Sequence, residues 1–445
     1  MHAGRRMRKR FYAAWADIPW PYPRSDPRGS PIAMSREPVV ISLFSGAGGL
    51  DYGFEAAGFR TGAAVEMDHD CCETLRANRR FPVFEKSIFD VTTAEMLDAA
   101  RSTRGEVDMV IGGPPCQPFS KAGYWARGDT KRLNDPRADT LNAYMRVVEE
   151  ALPRAFLLEN VEGLAYTEKN EGLSLVLDMI AAINRRQKVR YEPAWRVLCA
   201  ADFGVPQLRS RLILVAARDG QPFTFPSPTH APRDHDVKQT SLLQLPAYRT
   251  AWDALGDVGP SPNEDVAMRG KWAKLLPSIP EGENYLWHTD RGGGMPLFGW
   301  RRRFWSFLLK LAKDRPSWTI QAQPGPGTGP FHWESRRLSM RELCRIQTFP
   351  DDVAIQGNYR AVHKQVGNAV PSLLAEVLGR AVRTQLLGEP RANDTLKLLP
   401  PVRLPVPPPE PVKPVPKAFR DLKGDHEAHP GTGKGFRAAS WAGAE

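Results

Sequence analysis

One cysteine in this sequence lies in a segment that suits a nucleophile. Cys116 follows two prolines in GGPPCQPFS (Gly112 to Ser120), directly after the apolar segment VDMVIGG. The two proline rings restrict the backbone before the thiol, and a rigid backbone suits a nucleophile that must meet its target in one orientation. A buried structural role is commoner for cysteines in general, but the PPCQ context makes that role much less favoured here.

A carboxylate and two guanidinium groups follow Cys116 along the chain. Glu159 ends the apolar segment of LLENV, where burial would raise its pKa and allow it to donate a proton near neutral pH. A glutamate at a strand end also serves as a helix cap or ion-pair partner, so the motif alone leaves these roles open. Arg209 and Arg211 alternate in QLRSRL at the head of a later strand, where they would orient a carboxylate or a carbonyl oxygen, or be surface charges.

A glycine-rich turn precedes these residues in FSGAGGLDYGFEAAG (Phe44 to Gly58). Its first three glycines, which let the backbone turn sharply and approach a ligand, are Gly46, Gly48 and Gly49. Glu66 ends the next strand, where it could accept hydrogen bonds from ribose hydroxyls. Asp90 follows a candidate third strand, where it could accept one from an adenine amino group. The adjacent glycines differ from the GxGxxG of dinucleotide enzymes, and such a turn alone is equally compatible with a structural role.

The elements that must position these residues are short apolar strands separated by helical segments. They are Val39 to Phe44, a segment ending near Glu66, Val107 to Gly113, Arg154 to Asn160 and Arg211 to Ala217. This alternation predicts an α/β fold with a mostly parallel sheet and helices on both faces. Ligands gather at the carboxyl ends of strands in such sheets, and we place every motif above at that edge.

The pattern along the chain predicts five segments. They are a basic flexible arm (1–36), a catalytic and cofactor-binding α/β domain (37–221), a smaller loop-rich domain (222–335), a return segment that completes the catalytic domain (336–388) and a Pro-rich, extended or disordered tail (389–445). The arm carries eight Lys or Arg against Asp17 and Asp26. It is either a DNA-contacting arm or an extension without function. Met34 is an alternative start of the chain. Nine of the seventeen residues from Pro400 to Pro416 are proline, which predicts an extended or disordered tail.

Composition excludes several other classes of protein. The hydrophobic fraction of 42% and charged fraction of 25% are typical of a soluble globular protein, and no apolar run approaches the ~20 residues of a membrane span. The five cysteines are scattered without a CxxC pair or a zinc set, which indicates a reducing, cytoplasmic setting and no metal site. A net charge of +11 favours a polyanionic partner, although basic tails alone can produce it.

Taken in order, the motifs resemble those of the bacterial DNA (cytosine-5)-methyltransferases. The set is FSGAGG, PPCQPFS, ENV, QLRSR, RRLSMRELCRIQTFP and KQVGNAVP, and the likeness covers about Val39 to Leu387. The resemblance implies a Rossmann-like, S-adenosylmethionine-dependent methyltransferase sheet with 222–335 as the target-recognition domain. Departures are mild: Leu208 and Ser210 replace more polar residues, and Ser339 stands where threonine is commoner.

The resemblance also assigns roles to individual residues. It implies that Cys116 is the nucleophile, that Glu159 contacts N3 and N4 of cytosine, and that Arg211, with Arg209 nearby, helps hold the ring. The residues implied to surround S-adenosyl-L-methionine, with their immediate neighbours, are Phe44, Ser45, Gly46, Gly48, Gly49, Glu66, Met67, Asp90, Pro115, Asn368, Ala369 and Val370. No metal is implied.

The implied substrate is double-stranded DNA, whose target cytosine must be flipped out of the stack at a cost of a few kcal/mol. Between Arg291 and Arg345 eleven Lys or Arg stand against three acidic residues, interleaved with four tryptophans, a composition that suits phosphate and guanine contacts. Most of those tryptophans are expected in a core. We further expect a monomer, nucleoid-associated through DNA, that serves as the modification enzyme paired with a cognate restriction endonuclease.

Two other functions remain open at this point. A transfer-RNA branch of the same family resembles this chain around PPCQ and ENV, but the long and distinct 222–335 region argues against it. A non-catalytic DNA-binding regulator on a decayed scaffold is the second, and the intact Cys116, Glu159 and Arg211 argue against that. Comparing methylation of duplex DNA with that of transfer RNA, and covalent trapping on 5-fluorocytosine, would separate the three.

Overall fold

The predicted apolar segments form the centre of one seven-stranded sheet. The computed structural model describes residues 36–115, 139–166, 171–232, 245–300, 303–390 and 395–422. The strands of the sheet are β1 (Val39–Leu43), β2 (Arg60–Glu66), β3 (Val83–Glu85), β4 (Met109–Gly112), β5 (Ala155–Val161), β6 (Glu192–Cys199) and β8 (Ser210–Ala217). Their order is β3-β2-β1-β4-β5-β8-β6, so the strand order reverses between β1 and β4, where α/β sheets bind ligands.

The last two strands depart from the predicted parallel arrangement. Strands β3, β2, β1, β4 and β5 pair in parallel, whereas β8 runs antiparallel to both β5 and β6. The connection from β6 to β8 is a short 3-10 turn (Ala200–Phe203) and the two-residue strand β7 (Gln207–Leu208), which is too short for a parallel crossover. As a consequence, the head of β8 lies beside the carboxyl end of β5, with Arg211 opposite Val161.

Helices cover both faces of the sheet. The helices of the described residues are α1 (Gly49–Ala56), α2 (His69–Asn78), α3 (Thr93–Ala99), α4 (Asp139–Ala151), α5 (Gly163–Tyr166), α6 (Glu171–Gln187), α7 (Ala251–Leu255), α8 (Met340–Ile346), α9 (Tyr359–Asn368), α10 (Ser372–Leu386) and α11 (Lys417–Arg420). Alternate side chains of β1 point to opposite faces: Ile41 packs in the cluster that contains α4 and α6, and Val40 in the cluster that contains α1 and α10. Because both faces are covered by apolar helix surfaces, the central strands are buried on both sides.

The return segment packs directly on the first helix of the fold. A Cβ built at Gly53 in α1 would lie 2.3 Å from the Cβ of Ala375 in α10, so the two helices approach as closely as glycine permits. Ser339 caps α8 by accepting a hydrogen bond from the backbone N–H of Glu342, whose carboxylate accepts one from the Ser339 backbone in return. A serine serves this capping role as well as the commoner threonine.

The region between β8 and α8 has little regular structure and its own apolar cluster. Besides α7 it contains 3-10 turns at Leu276–Ser278 and Tyr285–His288, and the strand β9 (Ser317–Trp318), which pairs with β7. Its buried cluster consists of Leu275, Leu276, Ile279, Tyr285, Leu297, Phe298, Leu308 and Phe331, together with Val415 and Phe419 from the C-terminal segment. The β7–β9 pair ties this region to the residues just before the head of β8.

Of the two alternatives predicted for the Pro-rich tail, extended or disordered, residues 395–422 adopt the extended one, and we call them the C-terminal strap. The strap is extended, as its prolines favour, but it is anchored by packed side chains: Val415 and Phe419 are only 8% and 6% exposed. The Pro-rich composition did not reveal this packing, because a few widely spaced apolar residues can anchor an extended segment when a neighbouring region provides an apolar cluster. Residues 1–35 and 423–445, predicted to be flexible, lie outside the described residues. Within the described part of the chain, no helix combines the length and the apolarity needed to cross a membrane.

Candidate active site

Glu159 lies near the end of β5 with its carboxylate almost removed from solvent. The residue is 8% exposed, and the Nε of Arg211 lies 2.9 Å from its Oε1. Burial raises the pKa of this carboxyl above its usual range, and the neighbouring Arg211 and Arg209 guanidinium groups oppose that shift only in part. The site therefore contains a carboxyl group that can hold a proton closer to neutral pH than an exposed glutamate.

The antiparallel pairing explains why Glu159 and Arg211 meet. Arg211 stands opposite Val161, two residues beyond Glu159 on the paired strand, a diagonal relation within reach of long side chains. Arg211 also donates from Nη1 to the carbonyl oxygen of Ser210 at 2.8 Å, so its guanidinium group is fixed from two sides. Both residues were expected at the site from their motifs, but the antiparallel orientation of β8 that joins them was not predicted.

Arg209, also predicted for the site, is buried with its guanidinium group bonded to the backbone. It is 1% exposed, and it donates from Nη1 to the carbonyl oxygen of Ile320 at 3.2 Å and from Nη2 to that of Gly367 at 2.8 Å. Through these hydrogen bonds, its guanidinium group binds the backbone of two segments that are distant in sequence. Arg209 therefore links the start of β8 to the end of α9, and its catalytic role stays a prediction.

The loop that leads to Cys116 is held against Glu159. The amide of Asn160 donates to the carbonyl oxygen of Pro114 at 3.1 Å, and a Cβ built at Gly113 would lie 2.6 Å from Oε2 of Glu159. Any side chain at Gly113 would collide with that carboxylate. Cys116 itself, like the rest of 116–138, lies outside the described residues, but Pro115 directly before it is described and exposed.

The glycine-rich turn lies between the end of β1 and the return segment. A Cβ at Gly49 would lie 2.4 Å from the carbonyl oxygen of Val370 and 3.1 Å from the Cβ of Ala369, whereas one at Gly46 would meet nothing within 4 Å. Gly49 thus permits close contact with the return segment, and Gly46 faces open space. Phe44 has a positive φ of 53°, a strained conformation for a bulky residue and one that clusters at functional sites.

Glu66 organises the turn through backbone hydrogen bonds. Its Oε2 accepts from the N–H of Gly46 at 2.8 Å, and its Oε1 accepts from Met67 and Asp68, each at 2.8 Å. A carboxylate has about four acceptor positions, so Glu66 can keep part of its capacity for a hydroxyl group. Met67 beside it is 73% exposed, an unusual exposure for a large apolar side chain.

The remaining predicted cofactor residues occupy the same edge of the sheet. Ser45 hydrogen-bonds the hydroxyl of Ser42 at 2.8 Å, and Gly48 has a φ of 87°, a left-handed conformation that glycine adopts without strain. Asp90 is exposed in the 3-10 turn Ile88–Asp90 that follows β3. Asn368 ends α9 directly before Ala369.

Two buried residues that the sequence analysis missed support this edge. The side-chain amide of Gln347 donates to the carbonyl oxygens of Val366 and Ala369 at 2.6 and 3.2 Å, which fixes the turn that contacts Gly49. Asp51, in the first turn of α1, is fully buried and accepts a hydrogen bond from Ser42 at 3.1 Å. The sequence contains a signal for both buried residues, because the QTF and GGLD segments each place a polar residue inside an apolar pattern.

Asp51 gives a pH-dependent stability prediction. Burial raises its pKa from 3.8 to about 7, so its neutral form stabilises the fold fully below about pH 4, and this contribution is lost as the pH rises to about 7. Asp51→Asn removes the ionisation, so we expect the variant to gain stability over the unmodified chain as the pH rises, by at most about 4 kcal/mol. Melting temperatures from pH 5 to 8 test this. A constant difference between variant and unmodified chain would contradict it.

The residues at this edge fit S-adenosyl-L-methionine. The open space at Gly46, the carboxylate of Glu66 at the end of β2, and the exposed Met67 offer a close backbone approach, an acceptor for ribose and an apolar surface. The turn also lies where the strand order reverses between β1 and β4. The cofactor turn and the Glu159–Arg211 pair share the same edge because β1, β4 and β5 are parallel neighbours.

Comparisons with known proteins agree with this geometry. The family described as C-5 cytosine-specific DNA methylase matches residues 39–384. The Type II methyltransferase M.SacI of Streptomyces achromogenes is 42% identical over 381 residues, covering 79% of this chain and 94% of that protein. M.AquIA of Picosynechococcus sp. is 44% identical over 241 residues, covering 52% of this chain and 94% of that protein.

Solved structures match the fold at low sequence identity. A protein described as a prophage-encoded DNA modification methyltransferase, from E. coli, has a TM-score of 0.57 at 19% identity, covering 79% of this chain and 100% of that one. The Entamoeba histolytica methyltransferase EhMeth has a TM-score of 0.53 at 15% identity, covering 79% and 99%. Because the family match spans most of the chain and agrees with the site, the protein belongs to the C-5 cytosine-specific DNA methylases and is a DNA (cytosine-5)-methyltransferase that uses S-adenosyl-L-methionine.

Proposed function

We propose that Glu159, held by Arg211, activates the target cytosine and that Cys116 attacks it. The observation that carries this proposal is the buried carboxyl group with a raised pKa beside the loop that leads to Cys116. Arg211 engages Oε1 of Glu159, and the absence of a side chain at Gly113 leaves room at Oε2. This arrangement would let Oε2 face a base that enters from the Pro115 side.

The chemistry requires activation because C5 of cytosine is a poor nucleophile. The Cys116 thiolate adds to C6, while Glu159 hydrogen-bonds or protonates N3, and the displaced electron pair makes C5 nucleophilic. S-adenosyl-L-methionine, when bound, supplies an electrophilic methyl group to C5. A base, which we take to be water, then removes the C5 proton, and the returning electrons expel the Cys116 thiolate and restore the aromatic ring.

Covalent trapping tests this proposal on the full chain. Fluorine at C5 cannot leave as a proton, so duplex DNA that carries 5-fluorocytosine should become covalently linked to the chain in the presence of S-adenosyl-L-methionine. Bisulfite sequencing of DNA from cells that express the chain should then reveal the methylated motif. Transfer RNA should accept no methyl group under the same conditions. Methylation of transfer RNA in place of duplex DNA would contradict the proposal.

The region 222–335 is our proposed target-recognition region. Phe304 and Trp305 are 59% and 54% exposed there, and the ring of Trp305 lies 5.6 Å from that of Trp318 on β9. Since β9 pairs with β7, this aromatic surface connects within three residues to the head of β8 at Arg211. Exposed aromatic side chains near cationic residues suit contacts with unstacked bases and phosphates.

Replacing the exposed tryptophan should weaken DNA binding. We expect Trp305→Ala to lower affinity for duplex DNA containing the target site by about tenfold, because one base–aromatic stacking contact contributes roughly 1–3 kcal/mol. Fluorescence anisotropy at fixed salt measures this affinity. The control is Trp195→Ala, since Trp195 is 44% exposed on the edge strand β6. Equal affinity of both variants would argue against a DNA contact at Trp305.

Two further parts of the proposal concern partners. Relatives named Type II methyltransferases support a role as the modification enzyme of a restriction-modification system, with a cognate endonuclease as a functional and not necessarily physical partner. We also propose that the chain acts as a monomer, nucleoid-associated through its DNA substrate. Methylated DNA that resists cleavage by the endonuclease, and a sedimentation mass near 49.6 kDa, are the expected observations.

A further inference from the structure

The C-terminal strap lies entirely beyond residue 384, where the family match ends. Its first anchor is α10 of the catalytic fold. Glu376, which is fully buried, accepts hydrogen bonds from the backbone N–H groups of Lys397 and Leu398 at 2.8 and 2.9 Å. Leu399 packs on the apolar cluster that contains α1 and α10, and a Cβ at Gly204 would lie 2.5 Å from its Cδ1. The strap therefore begins fixed to the body that carries the active site.

Its middle crosses α7 through directed polar contacts. The backbone N–H of Arg403 donates to Oδ1 of Asp253 at 2.7 Å, and its Nε donates to the Asp253 carbonyl oxygen at 3.0 Å. Its Nη2 lies 2.8 Å from Oδ2 of Asp257. Three contacts from one arginine to one helix end fix the direction of the strap at this point.

The strap then completes a buried ionic cluster. Lys313 is only 4% exposed at its side chain, and its Nζ lies 2.7 Å from Oε1 of Glu281 and 2.9 Å from Oε1 of Glu410. The same Nζ donates to the carbonyl oxygen of Pro408 at 3.0 Å, and the backbone N–H of Glu410 donates to Glu281 at 2.8 Å. Buried charges require such partners, and the strap adds the Glu410 carboxylate and the Pro408 carbonyl oxygen to the partner that Glu281 already provides.

The end of the strap lies within the core of the recognition region. The ring of Phe419 stacks on that of Trp272, with centroids 5.9 Å apart and planes 25° apart. Phe419 and Val415 belong to the same buried cluster as Leu276 and Tyr285. One extended segment thus connects the catalytic fold, α7 and the centre of the recognition region.

We propose that the C-terminal strap sets the position of the recognition region relative to the active site and thereby contributes to the choice of DNA target. This inference rests on the proposed role of 222–335 in recognition. A segment anchored at both ends restricts relative motion of the bodies it joins. Loss of the strap should leave the cofactor site and the chemical step intact. DNA contacts made far from Glu159 should then no longer hold the target in a single position relative to the active site.

Two strap variants of the full chain test the inference. Phe419→Ala removes the apolar anchor. The double variant Arg403→Gln with Glu410→Gln removes the guanidinium contacts to Asp253 and Asp257 and the negative charge beside Lys313. We expect each to raise the KM for duplex DNA by about fivefold or more, and to lower by a similar factor the preference for the target over a site with one changed base pair. Affinity for S-adenosyl-L-methionine and kcat at saturating DNA should stay within twofold.

The matched control is Val402→Ala with Val412→Ala, because these strap residues are 56% and 48% exposed. Hydrogen exchange should rise near residues 275–298 in the strap variants and stay unchanged in the amides of β1 and β4. If hydrogen exchange in Phe419→Ala also rises in the amides of β1 and β4, that variant is destabilised as a whole, and the inference is then judged from the polar double variant. Unchanged KM and unchanged target preference would overturn the inference, provided that Trp305→Ala still weakens DNA binding. If Trp305→Ala also has no effect, the recognition role of 222–335 fails and the strap inference fails with it.

Discussion

Cys116→Ser should reduce methyl transfer to duplex DNA by about four to six orders of magnitude, the range expected when a covalent nucleophile is lost. A serine hydroxyl is far less ionised than a thiol near neutral pH, so the addition to C6 should stop. Binding of duplex DNA should remain within a few-fold, because the proposed recognition region is 222–335 and does not contain Cys116. Transfer of tritiated methyl groups and anisotropy with labelled duplex measure the two properties.

The control for this prediction is a second cysteine with no place in the site. Burial raises the pKa of the Cys344 thiol to about 12, so this thiol stays protonated and unreactive, and Cys344→Ser should keep activity within a few-fold. Only the Cys116 variant should also lose covalent trapping on 5-fluorocytosine. Full activity of Cys116→Ser would end the assignment of the nucleophile.

Glu159→Gln should lower turnover by roughly 100- to 10,000-fold, the usual contribution of a positioned general acid. Glutamine can still accept and donate hydrogen bonds, but it cannot deliver a proton to N3. Because the proposed cofactor residues are Glu66 and the glycine-rich turn and not Glu159, affinity for S-adenosyl-L-methionine should stay within about twofold. Single-turnover rates and equilibrium binding of the cofactor give the two values.

The pH dependence of turnover adds a second test of Glu159. Burial raises its pKa, so the protonated form is present at low pH and declines as the pH rises through that raised value. In the unmodified chain, the rate of the chemical step should fall over this pH range. The residual rate of Glu159→Gln should not show this pH dependence. Glu192→Gln is the control, since Glu192 is 54% exposed at its side chain on β6. A Glu159→Gln rate within a few-fold of the unmodified rate would remove Glu159 from the mechanism.

The parts of the fold that depend on local pattern could be predicted. The run Val39 to Phe44 followed by glycines predicts a buried strand and a tight turn, because apolar residues and left-handed glycine conformations act over a few residues. The placement of Glu66 and Glu159 at strand ends followed from the same reasoning. These features need no knowledge of distant partners.

Other parts depended on long-range geometry. Arg209 and Arg211 are two residues apart, yet one donates to the backbone of Ile320 and the other pairs with Glu159. That division depends on where β8 begins and in which direction it runs. Phe419 likewise looks like an isolated aromatic residue in a Pro-rich tail until the cluster around Trp272 is known. Edge strand β6 was missed because its side chains are mostly half-exposed and give no apolar run.

The packing of α10 on α1 has a consequence for how this protein is made. About 300 residues separate the two helices along the chain, so a ribosome adding about 5–20 residues per second completes α10 roughly 15–60 seconds after α1. During that interval Leu50 and Phe54 have no permanent partner from α10. The nascent chain should therefore be a client of chaperones, and a stalled chain that ends before α10 should bind no cofactor and aggregate.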